Sequence, residues 1–275
     1  MPELPEVETI ARGVHARVRG DRITEAWFSG HKEPFKTAAF TQAKGLAGRT
    51  ILSVHRTGKH IVCELGAAGS DEPLAQWIVH LGMTGRLLVT TPEGPVASHT
   101  HARLSLESGR EIRFVDARRF GRLEFRELRR GEGFSAAGTE PMTVGEAEFV
   151  ELFHGRKLAI KAALLNQELL SGVGNIYADE SLFQAGIRPR KRAGKLTRVE
   201  LERLRLALQA VLAQAIRLGG SSVSDYVDAD GARGFFQLEH CVYQRTGLPC
   251  RQCETPIKRI LVAGRGTHYC PACQR

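Results

Sequence analysis

Cys250-Arg-Gln-Cys253 and Cys270-Pro-Ala-Cys273 are two Cys-x-x-Cys pairs separated by sixteen residues. Each pair can supply two thiolate ligands to a metal ion from a tight turn, and the segment between the pairs is long enough for a β-hairpin. The spacing predicts a C-terminal zinc finger whose four cysteines bind one Zn²⁺. Because four thiolates leave no coordination position open, we expect this zinc to be structural rather than catalytic. The alternative is two disulfides, which are rare in cytosolic proteins because the cytosol is reducing.

The charge of the chain suggests a polyanionic partner. Its 275 residues include 39 Lys and Arg against 30 Asp and Glu, a formal net charge of +9. Thirty of these cations are arginine, whose planar guanidinium suits phosphate oxygens. Residues 1–130 and 241–275 each carry a net charge of +5, whereas residues 131–240 carry −1. This pattern favours nucleic acid as the partner, although charge alone does not decide it.

Several other protein classes do not fit the sequence. It has no run of eighteen apolar residues, so no membrane span is predicted. Its first ten residues, MPELPEVETI, contain two prolines and three glutamates, unlike a signal peptide. With 42% hydrophobic and 25% charged residues, the composition is that of a globular protein. We therefore expect a cytoplasmic protein that makes no membrane contact and is a monomer.

The N-terminal part of the chain has the pattern of a helix followed by strands. The helix is predicted by four apolar residues that share one face, Val7, Ile10, Val14 and Val18. From residue 22 to about 128, short alternating segments predict strands; residues 103–107 and 111–115 form a hairpin through Ser108-Gly109. Many short strands with local turns favour an antiparallel β-sandwich.

The strand-like pattern gives way to a helical one after residues 131–145, which are rich in Gly, Ser, Thr and Pro. The most distinct helix begins at Thr197-x-x-Glu200, a capping box, and ends at Gly219-Gly220. The predicted fold class is therefore α+β multidomain. We predict a helix and antiparallel β-sandwich over residues 1–130, a linker over 131–145, a helical domain over 146–240 and a zinc finger over 241–275.

Pro2 is a candidate nucleophile. Removal of Met1 would leave a secondary amine, and α-amino groups titrate near about 7.7–8.0, far below lysine. Such an amine can attack a sugar aldehyde carbon and form an iminium, while Glu3 and Glu6 could move protons. The alternative is purely structural, because proline and acidic residues also favour the start of a helix.

Three other motifs allow both a functional and a structural interpretation. The basic cluster 188–192 (RPRKR) could bind phosphate or simply face solvent. Gly172-Val-Gly174-Asn175 precedes a helix and could hold phosphate there or form an ordinary turn. Met83, between glycines in HLGMTG (80–85), could be an exposed wedge or a core residue.

These motifs occur in an order that resembles the bacterial formamidopyrimidine-DNA glycosylases, which remove 8-oxoguanine and have lyase activity. The resemblance spans nearly the whole chain. The matching stretches are PELPEVET at 2–9, GKH at 58–60, HLGMTG at 80–85, DARRFG at 116–121, GVGNIYADESLF at 172–183 and the cysteine finger at 250–273. Ala117 stands where the family usually has proline, but the arginines and phenylalanine that follow it are present.

The resemblance implies catalytic roles for four residues. Pro2 would attack C1′ of the damaged nucleotide and form a Schiff base, and Glu3 would be the general acid and base. Glu6 would position the nucleophile, and Lys59 would contact phosphate and assist catalysis. Successive β- and δ-elimination would then nick the strand.

The resemblance also implies a set of residues that bind damaged double-stranded DNA. Met83, Arg118 and Phe120 would fill the gap left by the flipped nucleotide, with Arg118 facing the orphaned cytosine. Residues about 219–237 would close over the extruded base, and the helical domain would be a helix–two-turns–helix element. The remaining DNA contacts would come from His99, Lys161, Asn175 and Arg265.

Two rival hypotheses remain. Endonuclease VIII uses the same proline chemistry on oxidised pyrimidines, but its N-terminus resembles PEGPE rather than the PELPE of this chain. A non-catalytic zinc-ribbon protein that binds nucleic acid would explain the charge and the cysteines. It would not explain Pro2-Glu3.

Overall fold

The computed structural model describes residues 1–31, 34–129, 131–223 and 226–275. Arg130, where the predicted first domain ends, and residues 224–225 of the predicted capping loop lie outside this description. The chain divides into two compact units. The first consists of Met1–Ser135 with Gly219–Gly234, and the second of Ala136–Leu218 with Phe235–Arg275. None of the helices in the described part of the chain is long and apolar enough to span a membrane.

In its described residues, the first unit contains two helices and eight strands. These are α1 (Leu4–Val18), β1 (Ile23–Phe28), α2 (Ala39–Leu46), β2 (Thr50–Thr57), β3 (His60–Gly66), β4 (Ala75–His80), β5 (Arg86–Thr90), β6 (Thr100–Leu106), β7 (Glu111–Val115) and β8 (Arg122–Glu127). The strands form two four-stranded sheets, ordered β1-β6-β7-β5 and β2-β3-β4-β8. All pairings within these sheets are antiparallel.

One hydrophobic core joins α1 to both sheets. All four apolar residues predicted to share a face of the first helix are at most 1% exposed. They cluster with residues of both sheets, such as Trp77 of β4 and Phe114 of β7. The predicted hairpin is also present, with Leu104 opposite Ile112 and Gly109 in the turn at φ +81°. An antiparallel β-sandwich preceded by a helix is therefore confirmed.

The second unit combines helices with the finger hairpin. Its elements are α3 (Glu146–Phe153), α4 (Ile160–Leu164), α5 (Asn175–Gln184), α6 (Arg198–Arg217), β9 (Lys258–Val262) and β10 (Arg265–Tyr269). The β9–β10 hairpin is antiparallel. Phe183 of α5 packs with buried finger residues, including Cys250 and Cys270. The helix–two-turns–helix element and the C-terminal cysteine finger are thus both present.

Residues 219–234 pack with the first unit, although they directly follow α6 of the second. The Ala229 carbonyl accepts a hydrogen bond from the Val89 N–H at 3.0 Å, and Arg17 of α1 forms an ion pair with Asp230. A Cβ on Gly13 of α1 would lie 3.1 Å from the Ala229 Cβ, so a side chain at position 13 would require this loop to shift by a few tenths of an ångström. The predicted boundaries include this loop in the helical domain (146–240), whereas its contacts are with the first unit. The other domain boundaries stay predictions.

The capping box predicted at the start of α6 gives a stability test. The Thr197 hydroxyl accepts the Glu200 N–H at 3.2 Å, and the Glu200 carboxylate accepts the Thr197 N–H at 2.9 Å. We expect Thr197→Ala to lower the free energy of unfolding by about 1 kcal/mol, because an N–H at the helix end loses its acceptor. Denaturant unfolding of the full chain measures this loss. Thr197→Ser keeps the hydroxyl and is the control; an equal loss in both variants would contradict the role of the cap.

Candidate active site and DNA-binding surface

The start of α1 is a buried cluster of the three predicted N-terminal residues. Pro2 is buried, and Glu3 and Glu6 are only 4% and 2% exposed. The Glu3 N–H donates to Glu6 Oε2 at 2.8 Å, half of a reciprocal capping box between the two residues. Carboxylates at this helix end also interact favourably with the helix dipole. The structural role expected of an acidic helix start is therefore present, and it places two carboxylates beside Pro2.

Glu6 also holds the loop that follows α6. Its Oε1 accepts the Ser221 N–H at 2.7 Å. Gly220 approaches closely at φ +81°, and a Cβ there would lie 3.0 Å from the Glu6 Cγ. Tyr226 of the same loop is buried, and burial together with the Glu6 charge raises the pKa of its hydroxyl. One carboxylate thus bridges the backbone next to Pro2 and the backbone of the predicted capping loop.

Lys59 lies in the turn between β2 and β3 and is only 9% exposed. Its neighbour Gly58 has φ +59°, a conformation that glycine adopts without strain. Arg56 connects this turn to α1, since its Nε donates to Glu8 Oε2 at 2.9 Å and its Nη1 to the Gly58 carbonyl at 3.2 Å. Sequence reasoning assigned no role to Arg56 or Glu8, because the pairing joins residues far apart in the chain.

Met83, Arg118 and Phe120 lie on two loops that follow β4 and β7. Met83 is 43% exposed and Phe120 49% exposed, so Met83 is not a core residue. The exposed Arg118 guanidinium lies 4.7 Å from the Phe120 ring centroid in a cation–π contact. The two loops therefore present apolar side chains and a cation together.

Asp116 binds the two loops to each other. It is fully buried; its Oδ1 accepts the Thr84 hydroxyl at 2.6 Å and its Oδ2 accepts the Gly121 N–H at 2.7 Å. Gly82 touches the second loop so closely that a Cβ would lie 2.4 Å from the carbonyl carbon of Phe120. Asp116 begins the DARRFG motif, but only the structure shows its partners.

Two histidines support the first of these loops. The Gly82 N–H donates to His80 Nδ1 at 3.2 Å, and the His60 and His80 rings are 4.9 Å apart. Burial lowers the pKa of both imidazoles, that of His80 to about 4, with further lowering from the neighbouring His60 and Lys59 charges. His80 is therefore neutral at pH 7, the form whose Nδ1 can accept this hydrogen bond.

His99 is exposed at the end of the loop between β5 and β6. It has φ +66°, and its carbonyl accepts the Asp116 N–H at 3.0 Å. A non-glycine residue in this conformation is uncommon and is held by its surroundings. Buried Arg113 stabilises the same loop by donating to the carbonyls of Thr91, Pro92, Gly94 and Pro95.

The second unit contains the other three predicted DNA-contact residues. Asn175 begins α5, and its side-chain amide donates to the Gly266 carbonyl at 3.0 Å. Arg265, the residue before Gly266 in the hairpin, is exposed. Lys161, unlike Arg265, is buried: its side chain is 0% exposed and its ammonium lies 2.6 Å from Asp179 Oδ1. In this conformation Asp179 neutralises the Lys161 charge inside the unit, and the expected DNA-binding role of Lys161 stays a prediction.

The four finger cysteines have the geometry of a zinc site. Their sulfur atoms all lie within 4.8 Å of one another. The distances Cys253–Cys270 and Cys250–Cys273 are 3.5 and 3.9 Å. A tetrahedral zinc with Zn–S bonds of about 2.3 Å has sulfurs about 3.8 Å apart, so the four thiolates fit one Zn²⁺.

Three family models match successive parts of the chain, and known proteins match its full length. The formamidopyrimidine-DNA glycosylase N-terminal domain matches residues 1–123, the corresponding H2TH domain residues 138–227, and the zinc finger found in FPG and IleRS residues 247–275. The formamidopyrimidine-DNA glycosylases of Solibacter usitatus and Thioalkalivibrio sulfidiphilus are 44% and 42% identical to the chain, with each match covering 100% of both sequences.

Solved structures agree with these matches. A point mutant of the Lactococcus lactis FPG in complex with Fapy-dG-containing DNA aligns with a TM-score of 0.87 and 34% identity, covering 100% of both chains. A MutM complex with carbocyclic 8-oxo-G-containing DNA aligns with a TM-score of 0.87 and 33% identity, also covering 100% of both chains.

Gly82 gives a test of the contact between the two exposed loops. A side chain at φ +60° costs about 1–2 kcal/mol, and pushing the Phe120 backbone away adds about 1–3 kcal/mol. We expect Gly82→Ala to lower the free energy of unfolding by the sum of the two. Gly109→Ala is the matched control, because Gly109 has φ +81° with nothing within 4 Å of its Cβ position. Equal losses in denaturant unfolding would show that the loops do not depend on this contact.

His80 gives a pH test. Its pKa is lower in the folded protein, about 4, than the ordinary value of 6.5, so the unfolded chain binds the proton more tightly. The stability that His80 contributes is present above about pH 6.5 and is lost as the pH falls towards 4. We expect the free energy of unfolding to fall by about 2 kcal/mol more in the wild type than in His80→Gln between pH 7 and pH 5.

Denaturant titrations at the two pH values measure this difference. His31→Gln, which changes an exposed imidazole of the same unit, is the control and should follow the wild type. Identical pH dependence in the wild type and His80→Gln would mean that His80 is not buried as a neutral imidazole.

Proposed function

The chain belongs to the formamidopyrimidine-DNA glycosylase family, and we propose that it is a bifunctional DNA glycosylase and AP lyase of base excision repair. We infer that it excises oxidised purines, 8-oxoguanine and formamidopyrimidines, from double-stranded DNA in the bacterial cytosol. The observation that carries the proposal is the buried start of α1, where Pro2 and Glu3 are adjacent and Glu6 accepts the Glu3 N–H at 2.8 Å.

Pro2 acts as the nucleophile once Met1 has been removed, because the retained methionine would occupy its nitrogen in an amide. The free secondary amine attacks C1′, the bond between C1′ and the base breaks, and the departing base takes up a proton. The sugar ring opens and an iminium links C1′ to Pro2. Glu3, next to the reacting nitrogen, takes and returns protons, and Glu6 keeps the Glu3 backbone in place.

Strand cleavage follows from the iminium. The positive nitrogen acidifies the C2′ protons, so that loss of one expels the 3′ phosphate in β-elimination. A second elimination expels the 5′ phosphate, and hydrolysis of the iminium frees Pro2. Lys59, in the turn connected to α1 through Arg56, contacts phosphate and assists these steps.

We assign the exposed loops of the first unit to base flipping. The glycosidic bond is inaccessible inside the base stack, so the damaged nucleotide must leave the duplex. Met83 and Phe120 fill the gap as apolar wedges, and Arg118 faces the orphaned cytosine. Asp116 supports this function because it holds the two loops in one arrangement.

Each unit contributes phosphate contacts of its own. His99 contributes from the first unit, and Asn175 and Arg265 from the second. The exposed Arg265 side chain lies in the hairpin of the finger, so the structural zinc supports DNA binding by keeping this hairpin folded. The excess of arginine provides the sequence-independent part of the affinity.

The second candidate is endonuclease VIII-type specificity for oxidised pyrimidines. One observation favours testing it: a wild-type Lactococcus lactis FPG structure is a complex with oxidised-pyrimidine-containing DNA and is 34% identical to this chain, with a TM-score of 0.86. The chain has Leu4 at the position where the rival motif PEGPE has glycine, and this difference favours the purine enzyme.

Borohydride trapping tests the proposal. We expect borohydride to reduce the iminium and link the protein covalently to a duplex with 8-oxoguanine opposite cytosine, with a lower yield on an oxidised-pyrimidine duplex. Pro2→Gly should trap less, because glycine lacks the ring that fixes the attacking nitrogen beside Glu3. Thr197→Ser, at a site outside the proposed chemistry, is the control for intact folding.

Two results would contradict the proposal. Absence of an adduct with correctly folded, zinc-loaded protein would exclude the Schiff-base mechanism. A higher yield on the oxidised-pyrimidine duplex would assign the chain to the sister specificity.

A further inference from the structure

Two adjacent carboxylates of α5, Asp179 and Glu180, are buried against the finger. Asp179 is 0% exposed and Glu180 4% exposed. They belong to the GVGNIYADESLF stretch, in which the proposed mechanism uses only Asn175. A buried charge is costly unless it is paired and hydrogen-bonded, so their partners indicate what they do.

Asp179 forms an ion pair with Lys161 and holds β10 of the finger. Its Oδ1 lies 2.6 Å from Lys161 Nζ, and its Oδ2 accepts the His268 N–H at 2.8 Å. Lys161 Nζ also donates to the Thr267 hydroxyl at 2.8 Å and to the Gly266 carbonyl at 3.1 Å. The pair therefore contacts three consecutive residues of one strand.

Glu180 holds the segment that leads into the finger. Its carboxylate accepts the N–H groups of Cys241, Val242 and Tyr243 at 2.8–3.0 Å. Burial raises the pKa of this carboxyl, although the three hydrogen bonds oppose the rise. Both ends of the finger are thus fixed to the same turn of α5.

The Gly266 carbonyl connects this network to both proposed phosphate-binding residues of the second unit. It accepts hydrogen bonds from Lys161 and from the side chain of Asn175, which uses one of its two amide hydrogens there. Arg265 is the adjacent residue, and it is exposed. A shift of β10 along α5 would therefore move Arg265 and release Asn175 together.

We propose that the Lys161–Asp179 pair is a positioning device that sets the finger hairpin against α5 and so presents Arg265 and Asn175 to the DNA backbone. Lys161 acts on DNA binding without touching DNA. This inference rests on the proposed DNA-binding function and assigns Asp179, an acidic residue, a positive contribution to the binding of a polyanion.

Two nearly isosteric variants of the full chain, Lys161→Met and Asp179→Asn, test the inference. Each is titrated with a duplex carrying a stable abasic-site analogue at several salt concentrations. Hydrogen exchange of residues 258–269 is measured without DNA, together with the zinc content. Lys195→Met, which removes an exposed lysine of the same unit, is the control for the loss of one positive charge.

We expect both variants to weaken binding about tenfold, the equivalent of one lost charge-assisted hydrogen bond. The slope of log affinity against log salt should fall by about one as a phosphate contact is lost. Exchange in the hairpin should become faster while zinc stays bound. Arg265→Ala should add little to either variant, because the contact that it removes is already lost.

Asp179→Asn separates positioning from direct contact. If Lys161 itself bound phosphate, removing its buried anionic partner would leave DNA binding unchanged or make it tighter, and that result would overturn the inference. Unchanged exchange in the hairpin, or loss of zinc from either variant, would also contradict it. Borohydride trapping through Pro2 is read out separately, so failure of this inference is distinguishable from failure of the proposed function.

Discussion

The start of α1 and the loop after α6 both depend on the carboxylate of Glu6, which is 2% exposed and binds two backbone N–H groups at once. One belongs to Glu3, next to Pro2, and the other to Ser221 in the loop after α6. Removing a buried acceptor costs about 1–3 kcal/mol for each N–H group that it served. The interaction therefore fixes the start of α1 and docks residues 219–234 on the same unit. The proposed nucleophile and the proposed capping loop share one support.

Buried carboxylates also accept backbone N–H groups elsewhere in the chain. Asp116 joins the loops that carry Met83 and Phe120, and Asp179 and Glu180 hold both ends of the finger. In each case the acceptor binds backbone that needs a partner beyond those its own helix or sheet supplies. Arg118 and Arg265, which the proposed function brings to DNA, lie on segments placed by the buried acids Asp116 and Asp179. Net charge alone conceals this, because it counts those acids only as a reduction of the positive total.

The sequence was sufficient wherever a pattern is local. Val7, Ile10, Val14 and Val18 predict the buried face of α1, the 103–115 segment predicts its hairpin, and the cysteine spacing predicts four clustered sulfurs. Each of these depends on residues within a few turns or one hairpin. Long-range partners were not predictable: the resemblance assigns Lys161 to DNA binding but does not reveal its buried pairing with Asp179. Nothing local in the sequence separates a buried lysine from an exposed one, and the docking of Ala229 beside Gly13 likewise depends on residues far apart.

The identity of the atom that attacks DNA is the most direct test of the proposed Schiff-base mechanism. The protein is trapped with borohydride on a duplex carrying 8-oxoguanine opposite cytosine, digested, and analysed by tandem mass spectrometry. We expect the reduced sugar to be attached to the nitrogen of Pro2 in a peptide that lacks Met1. Attachment to Lys59 or to another lysine, or an adduct on a chain that retains Met1, would contradict it.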